Sequence, residues 1–399
     1  QLKDAALVTL KIQKLAMNYG MTLKDASAFN IQFHNGRAVL IDTLSFTSYK
    51  EGSTWVAYRQ FCQHFLAPLA LMSYRDSRLA QIWKGFIDGL PLDLSAELLP
   101  LKAWLNLGLL FHVGVHGKSQ KQLSAPDKKT VVQLEKQGMS KAGFMGLIDS
   151  LDSTVRSLKS PMARGFWSEY QKIHNYSEEA DKHKRTTVSA FLDQCLAVQS
   201  ALQVERSPAP ASTASKGTIV WDLGANTGVY SRLAAGKAGL VVSLDMDHDC
   251  VEASYLHSKQ QGVNNIVPVI CDLSAPTPAI GWALRERASL LERGPADVLL
   301  ALALIHHLAI ANNVPLERAA QFFAQAGHWL IIEFVPKSDS QVQLMLSRRE
   351  DIFDQYGKES FEKAFSLFFE IKQSVEVAGS QRTLYLMRRK AAGIWNLES

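Results

Sequence analysis

The residues best suited to chemistry lie on one turn, within the stretch "IVWDLGANTGVYSRLAA" at positions 219–235. An apolar, strand-like run ends at Leu223, and a helical pattern follows Gly228. Gly224 permits a sharp turn of the backbone, and Gly228 lets the helix pack closely and leaves room for a ligand. The first N–H groups of that helix would face the crevice at the carboxyl ends of the strands. The pattern predicts a turn that binds a nucleotide-type ligand.

A carboxylate ends the next predicted strand, because Asp245 stands 23 residues after Asp222. Its two oxygens can accept hydrogen bonds from both hydroxyls of a ribose. NAD sites use the pattern GxGxxG so that the helix start can hold a pyrophosphate. Counting from Gly224, the third position is Asn226 and the sixth is Val229, so two of the three glycines are missing. An NAD-dependent oxidoreductase is therefore an alternative that the turn argues against.

The turn resembles motif I of the class I S-adenosylmethionine (SAM) methyltransferases, whose pattern is acidic-x-G-x-G-x-G. Here the pattern stands as Asp222, Gly224, Asn226 and Gly228. Asn226 replaces the central glycine, and asparagine is one of the few other residues that tolerates left-handed backbone angles. The stretches "VVSLDMD", "VICDLS" and "DVLLALALIHHL" resemble the following motifs of the same family in the same order.

The resemblance implies a role for each acidic residue. Asp222 would face the amino group of the methionine part of SAM, and Asp245 would bind the ribose. Asp272 would contact the adenine amino group. Asp245 could instead be an ordinary carboxylate at a strand end, and Asp272 could cap the turn into "LSAPTPAIGW".

Candidate catalytic residues follow the fourth and fifth predicted strands of this region. His306 and His307 occupy the position where family members border the transferred methyl group, and histidine can take a proton near neutral pH. A base helps only when the acceptor is an alcohol or phenol, and one of the pair could merely shape the pocket. Glu333 ends the fifth strand, where it could face the cleft or pair with Lys337.

Aromatic residues suggest the walls of the cleft. Trp167, Tyr170 and Tyr176 lie in a helical segment that could close over the cofactor as a lid, or could pack in a core. Trp282 and Arg285 lie in the loop "APTPAIGWALRER", which could form a cleft wall or an ordinary surface loop.

A second constellation stands near the beginning of the chain. Asp25 precedes Asn30 by five residues, a predicted hairpin follows with Asn35 and Gly36 at its turn, and Asp42 closes it. This order resembles the catalytic core of protein and aminoglycoside kinases, in which an Asn and a second Asp bind metal. The His-Arg pair and the Asp-Phe-Gly run of kinases are absent, and no glycine-rich strand pair precedes the segment. We interpret it as a kinase-like remnant, with a functioning Mg-ATP kinase as a further alternative.

The elements that must position these residues divide the chain. Residues 1–118 predict a mostly helical, kinase-C-lobe-like region, and residues 119–204 a helical segment that includes the possible lid. Residues 205–217 form a linker rich in Ala, Ser and Pro. Residues 218–390 predict an α/β, Rossmann-like methyltransferase domain with a seven-stranded sheet that ends in an antiparallel hairpin. Its first five strands are expected at Thr218–Leu223, Leu240–Leu244, Ile266–Ile270, Val298–Leu304 and Trp329–Phe334.

Composition narrows the class of protein. The chain has 399 residues, 47% of them hydrophobic, with a net charge of +5, which falls well short of a nucleic-acid-binding footprint. Its four cysteines lack metal-ligand spacing and predict buried thiols, so no metal is expected. The longest apolar stretch, "LLPLKAWLNLGLLFHVGV", is interrupted by polar residues and predicts a buried helix rather than a membrane span. A cytoplasmic protein is expected. The start at Gln1, directly inside a helix, suggests a fragment without its natural N-terminus.

As a whole, the chain is similar to a bacterial family of large SAM-dependent methyltransferases, some of them nodulation-related, through blocks such as "LKDASAFNIQF" and "ALALIHHL". The resemblance implies methyl transfer from SAM to an oxygen or nitrogen of a small-molecule or saccharide-like acceptor. The Asn-Pro-Pro-Tyr signature of many amino-group methyltransferases is absent, since residues 304–307 read Leu-Ile-His-His. A non-catalytic protein that binds SAM and recognises a partner is the main alternative. The oligomeric state is left open.

Overall fold

The computed structural model describes residues 1–115, 139–159, 177–206, 217–347 and 349–391. The chain divides into two compact units, Gln1–Phe166 and Trp167–Ser399. The segment 119–204 contributes a described helix to each of the two units, and the domain limits given above stay predictions.

Short helices dominate the described part of the first unit. Its core is formed by fully buried side chains that include Leu10, Met17, Phe61, Phe65 and Phe144. The α-helices are α1 (Leu2–Asn18), α2 (Tyr58–Phe61), α3 (Ala67–Tyr74), α4 (Leu92–Leu98), α5 (Leu107–Leu109) and α6 (Lys141–Ser157). Tighter or wider helical turns cover Ala28–Asn30, Thr43–Ser45, Cys62–Leu66, Ser77–Gly85, Leu101–Leu105 and Leu110–Val115.

Two antiparallel strand pairs follow α1. Strand β1 (Met21–Leu23) pairs with β4 (Phe46–Ser48), and between them β2 (Ile31–His34) pairs with β3 (Arg37–Leu40). At the tip of the second pair, Asn35 and Gly36 have φ angles of +49° and +70°. Both left-handed positions suit the two-residue turn that matches strand twist, so the predicted hairpin is confirmed.

The long apolar stretch after α4 is not the single buried helix that its hydrophobicity predicts. The chain passes through Leu101–Leu105, α5 and Leu110–Val115 as three short helical pieces. Leu101 and Leu105 are 88% and 85% exposed. The prediction is wrong because Pro100 and Asn106 each start a new piece as its cap residue.

Seven strands form one sheet within the described part of the second unit. Their order across the sheet is β10-β11-β9-β8-β5-β6-β7; strands β5 to β9 run parallel, and β11 runs antiparallel to both of its neighbours. The predicted sheet with a closing antiparallel hairpin is confirmed. The strands are β5 (Ile219–Leu223), β6 (Leu240–Asp245), β7 (Ile266–Ile270), β8 (Ala296–Ala301), β9 (Gly327–Phe334), β10 (Phe369–Glu376) and β11 (Thr383–Arg389).

Helices cover both faces of this sheet, as a mainly parallel sheet requires. Alternate residues of one strand face opposite sides, so Val298 and Leu300 pack in a cluster with Leu192 of the long helix α7 (Glu178–Arg206). Leu299 packs in a second cluster with Phe323 of α10 (Leu316–Ala326). The helices are α7 (Glu178–Arg206), α8 (Val229–Ala235), α9 (His248–Gln261), α10 (Leu316–Ala326), α11 (Ser340–Leu346) and α12 (Lys358–Ser366).

The fourth strand of the sheet is shorter at its carboxyl end than its sequence predicts. The apolar run continues to Leu304, but β8 ends at Ala301. Ala303 then adopts a φ of +50°, a left-handed angle that a strand cannot contain. The following residues are therefore helical, with a wide turn over His307–Ala311.

The cysteines and the apolar helices are the two features that the composition singles out. All four cysteines lie in the described ranges and are buried thiols, as predicted. Of the helices in the described ranges, none combines the length and the apolar character that a membrane crossing requires.

Candidate active site

The turn after β5 has the backbone that its sequence predicts. Gly224, Asn226 and Gly228 have φ angles of +70°, +50° and +78°. Asn226 therefore occupies a left-handed position in which most side chains are strained. The side chain of Arg232 in α8 donates a hydrogen bond of 2.7 Å to the carbonyl oxygen of Thr227, which ties the turn to its helix.

Gly228 also has a steric role. A Cβ built on it would lie 2.5 Å from Oγ of Ser254 in α9, closer than any real contact. The start of α8 can approach α9 this closely only because the residue between them has no side chain. This is the packing role that the sequence assigns to the second glycine.

We expect Gly228→Ala to destabilise the protein by about 2 kcal/mol more than Gly262→Ala, because only the first creates an overlap with a packed neighbour. Gly262 has a similar φ of +68° but nothing within 4 Å of the added Cβ, so its variant measures the backbone cost alone. Urea unfolding of the two variants gives the comparison. Equal losses of stability would show that the overlap of the added Cβ with Ser254 costs no stability.

The carboxylate of Asp245 is fixed by the backbone at the end of β6. Its Oδ2 accepts a hydrogen bond of 2.6 Å from the N–H of Asn226, and its Oδ1 accepts one of 2.8 Å from the N–H of Asp247. Burial raises the pKa of Asp245, and these backbone donors act against that rise. Each carboxylate oxygen has a second lone pair, so both can still accept from vicinal hydroxyls.

Asp222 lies beneath the turn and is only 2% exposed. Oγ of Ser231 in α8 donates a hydrogen bond of 2.6 Å to Oδ2 of Asp222. Burial raises the pKa of Asp222 to about 6, and the neighbouring charge of Asp245 adds to the rise, whereas Ser231 and Lys184 lower it. The group can therefore change its charge near neutral pH.

The two histidines after β8 have different surroundings. The His306 side chain is 2% exposed, whereas His307 is exposed, and their ring centroids lie 4.3 Å apart. Within the part of the chain that the structure describes, Nδ1 of His306 has no hydrogen-bond partner. Burial, with His307, Arg382 and Lys184 nearby, lowers the pKa of His306 to about 2. His306 is therefore an uncharged imidazole near neutral pH, and its Nδ1 is a buried nitrogen without a hydrogen-bond partner in the described residues.

Glu333 is completely buried at the end of β9, and its partner is not Lys337. Oε2 of Glu333 accepts a hydrogen bond of 2.7 Å from Nζ of Lys184 in α7. Arg382 lies 3.8 Å from the other oxygen and also binds Asp339. Lys337 pairs with Asp351 instead, at 2.8 Å. Because a cation lies near each of its carboxylate oxygens, Glu333 orders the site and is not available as a base.

Asp272 forms a local turn after β7. Its Oδ1 accepts hydrogen bonds of 2.8 and 2.6 Å from the N–H and the hydroxyl of Ser274. This geometry is that of a turn cap, the alternative role that the sequence allows for Asp272. The contact of Asp272 with the adenine amino group stays a prediction. Trp282 is 85% exposed, which favours the surface-loop interpretation of its segment. Trp167, Tyr170 and Tyr176, the predicted lid residues, lie outside the described residues.

Three residues that the sequence did not single out belong to this region. Lys184 and Arg382 are 3% and 6% exposed and hold Glu333, although each stands in an ordinary charged or turn segment of the sequence. Met246 directly follows Asp245 and is 64% exposed, an unusual exposure for a methionine at a strand end. The position of Met246 could have been inferred from the motif that contains Asp245, but the pairing of Lys184 with Glu333 could not.

The kinase-like residues of the first unit are connected through one serine. Nδ2 of Asn30 donates a hydrogen bond of 3.0 Å to Oγ of Ser45, which donates one of 2.7 Å to Oδ2 of Asp42. Asp25 instead accepts a bond from the N–H of Ser27 within its own turn. The side chains predicted to resemble a metal pair are thus joined by a hydroxyl. Across the described residues, no group of three His, Cys, Asp or Glu side chains is arranged to hold a metal ion.

Comparisons with known proteins place this site in context. No family model matches the chain. Its fold is similar to that of magnesium protoporphyrin IX methyltransferase (ChlM) from Synechocystis PCC 6803, at 15% identity over 56% of this chain and 91% of that chain, with a TM-score of 0.37. It is also similar to N-methyltransferase NodS from Bradyrhizobium japonicum WM9, at 9% identity over 54% of this chain and 99% of that chain, with a TM-score of 0.36. The bifunctional kinase-methyltransferase WbdD matches at 13% identity over 54% of this chain and 40% of that chain, with a TM-score of 0.35.

One relative matches along nearly the whole sequence. The chain is 33% identical over 390 residues to nodulation protein NoeA of Rhizobium meliloti (strain 1021), a match that covers 97% of this chain and 78% of that protein. The sheet order and the turn after β5 agree with the class I methyltransferase assignment. The predicted relation to nodulation proteins is confirmed. The chain therefore belongs to the family of nodulation protein NoeA and has a class I methyltransferase fold in its second unit.

Proposed function

We propose that the chain transfers a methyl group from SAM to an oxygen or nitrogen atom of a small-molecule or saccharide-like acceptor in the cytoplasm. The observation that carries the proposal is the left-handed turn at Gly224, Asn226 and Gly228 together with the fixed carboxylate of Asp245. Both lie at the carboxyl ends of adjacent parallel strands, β5 and β6. This is where an open α/β sheet binds its ligand.

The residues present suit the parts of SAM. Asp245 would bind the two ribose hydroxyls, and the bare backbone around Gly224 would lie against the methionine part. Asp222 would balance the positive amino group of that part. The exposed side chain of Met246 would offer an apolar surface to the adenine, and Asp272 would reach its amino group. When bound, SAM supplies a methyl group that is already activated, so the chain mainly has to orient the acceptor.

The acceptor would lie beside His306, which follows β8, the strand next to β5 on the other side from β6. His307 would border its outer edge, since that ring is exposed. Glu333 would act through Lys184 and Arg382, as a positioning residue between β9 and α7. Enzyme function, rather than binding alone, is favoured by the unpartnered Nδ1 of His306, since a buried polar atom without a hydrogen-bond partner costs stability.

The first experiment is a calorimetric titration of the chain with S-adenosylhomocysteine (SAH). We expect Asp245→Asn to weaken SAH binding about 10- to 100-fold, because it removes a charged acceptor of two ribose hydrogen bonds. The matched control is Asp297→Asn. Asp297 also accepts a backbone hydrogen bond, of 2.8 Å from Ile219, but from the amino end of β8. The control should bind SAH as the natural chain does.

Titrations with NAD and with Mg-ATP complete the experiment. Binding of NAD with no binding of SAH would replace the methyltransferase proposal by the oxidoreductase alternative. SAH affinity that is equal in Asp245→Asn and the natural chain would show that the cofactor lies elsewhere. SAH binding without methyl transfer to any acceptor would favour the non-catalytic alternative.

A further inference from the structure

We propose that the outer face of residues 101–115 docks on a lipid bilayer whose surface carries anionic headgroups. The proposal concerns the first unit of the chain and does not depend on methyl transfer. It assigns a partner of defined chemistry to a surface that the proposed function does not use.

Large apolar side chains of this segment lie open to water. Six of them are exposed, and together they form the apolar ridge: Leu101, Leu105, Leu107, Leu110, Phe111 and Val115. The first three are 88%, 85% and 77% exposed. So many exposed apolar residues in one short stretch are unusual for a protein surrounded by water, and they mark an interaction site.

The helical pieces from Leu107 onwards are apolar on both faces. Leu109 and Val113 lie four residues apart and are fully buried in the core of the first unit. Leu107, Phe111 and Val115 repeat at the same spacing on the outer face. A helix between a core and water carries polar residues on its outer face, whereas a helix that is apolar all round is covered on both sides. The outer face is therefore expected to have an apolar cover.

The charges around the apolar ridge are mainly positive. The segment itself contains the exposed Lys102 and no acidic residue. Arg75 borders it, because its exposed side chain donates a hydrogen bond of 2.8 Å to the carbonyl oxygen of Leu98. The exposed Lys159 follows α6, the helix against which α5 packs. Glu97, just before the segment, is the acidic residue among these neighbours. The cover that suits this surface is therefore apolar inside and negatively charged outside.

A bilayer with anionic headgroups has both properties. Leucine and phenylalanine side chains enter the boundary between headgroups and acyl chains, while lysine and arginine keep their charged ends among the headgroups. Each basic residue near such a surface adds to the attraction. A two-fold dimer through the ridge would instead bring the cations of two copies together. The segment is shorter than the roughly 20 residues that cross a bilayer, so it would lie on the surface.

The first test is flotation of the full chain with vesicles. Vesicles of phosphatidylcholine with about 30% phosphatidylglycerol present anionic headgroups, and vesicles of phosphatidylcholine alone do not. We expect the natural chain to float with the first kind and not with the second. The double variant Leu101→Ser with Leu105→Ser should bind anionic vesicles at least about tenfold more weakly, because it removes two apolar side chains from the contact.

Leu44→Ser is the matched control for the double variant. Leu44 also lies in the first unit and is 79% exposed, but it stands in the turn Thr43–Ser45 and not on the ridge. This variant should bind anionic vesicles as the natural chain does. Urea unfolding should give all three proteins the same stability, since the replaced side chains are exposed. A loss of binding then reports on the ridge and not on the fold.

The contribution of charge is tested by Lys102→Gln, which should weaken binding to anionic vesicles about fivefold. Lys24→Gln is its control, since Lys24 is an exposed lysine that follows β1 in the same unit. Salt at about 0.5 M should weaken the binding of the natural chain, because it screens the headgroups. Equal weakening by the two lysine variants would overturn the assignment to the ridge.

A fluorescent label locates the contact. The four natural cysteines are buried thiols, so a polarity-sensitive dye attached to Leu105→Cys reports on the ridge. We expect its emission to shift to shorter wavelength when anionic vesicles are added, as the dye leaves water. The same dye on Leu44→Cys should show no shift.

Several results would overturn the proposal. They are no flotation of the natural chain, equal flotation with both kinds of vesicle, equal binding by the double variant, and an unshifted dye on Leu105→Cys in the bound chain. Sedimentation equilibrium without vesicles tests a protein partner. A dimer that dissociates in the double variant but persists in Leu44→Ser would assign the ridge to a second copy of the chain instead.

Discussion

Lys184→Met is expected to lower the free energy of unfolding by about 3–5 kcal/mol, the usual loss when one partner of a buried ion pair is removed. The Lys184 and Glu333 side chains are 4% and 0% exposed, and their charged atoms lie 2.7 Å apart. Methionine fills a similar volume but leaves the carboxylate without its closest cation. Arg382, at 3.8 Å from the other oxygen and shared with Asp339, can compensate for only part of this loss.

The same helix provides the control for this prediction. Lys237 pairs with Asp193 of α7, but these side chains are 24% and 62% exposed. Lys237→Met should therefore cost less than about 1 kcal/mol. The double variant Lys184→Met with Glu333→Gln should recover much of the stability, since it removes both buried charges. Urea unfolding measures all four proteins, and equal losses for Lys184→Met and Lys237→Met would contradict the prediction.

This pair also shows where sequence reasoning reaches its limit. Lys184 and Glu333 are separated by 149 positions, and Lys184 stands in a run of charged residues that resembles any exposed helix face. The strand-end position of Glu333 could be predicted from local pattern, but its partner could not. A hydrogen bond between distant elements depends on how the helix packs against the sheet, which no local pattern contains.

Backbone angles, by contrast, can be predicted from residue type. The prediction that Asn226 tolerates a left-handed angle agrees with its φ of +50°, because that tolerance is a property of the residue itself. The five parallel strands were found by their apolar runs, and Ile266–Ile270 was placed without error. The end of β8 was missed because "LALALI" is equally apolar in strand and helix, and only the angle at Ala303 separates them.

The second large effect concerns Asp222. When the pH is raised from 3.5 to 7, Asp222 ionises in the natural chain. We expect the natural chain to lose about 3 kcal/mol of its free energy of unfolding over this range, relative to Asp222→Asn. The pKa of Asp222 rises from 3.8 to about 6 in the folded protein, chiefly because burial disfavours the charged form. Between those values the folded chain holds more protons than the unfolded chain. Stability from this group is therefore present at low pH and lost as pH rises through 6.

Urea unfolding of both proteins at several pH values measures this difference. The comparison uses the change of the difference with pH, so any constant cost of placing an amide beside Ser231 cancels. Two curves that stay parallel from pH 3.5 to pH 7 would contradict the prediction. Such a result would mean that the carboxyl of Asp222 is solvated well enough to ionise as it does in the unfolded chain.

The same titration should control cofactor binding with the opposite sign. Under the proposed function, the positive amino group of SAH lies near Asp222 and favours its ionised form, so SAH affinity should rise about tenfold between pH 5 and pH 7. Asp222→Asn should bind SAH weakly and without this rise. A charged Asp222 would then destabilise the empty protein while it strengthens cofactor binding. Residues kept for stability alone do not combine these two effects, so their joint observation by calorimetry and unfolding would identify Asp222 as a binding residue.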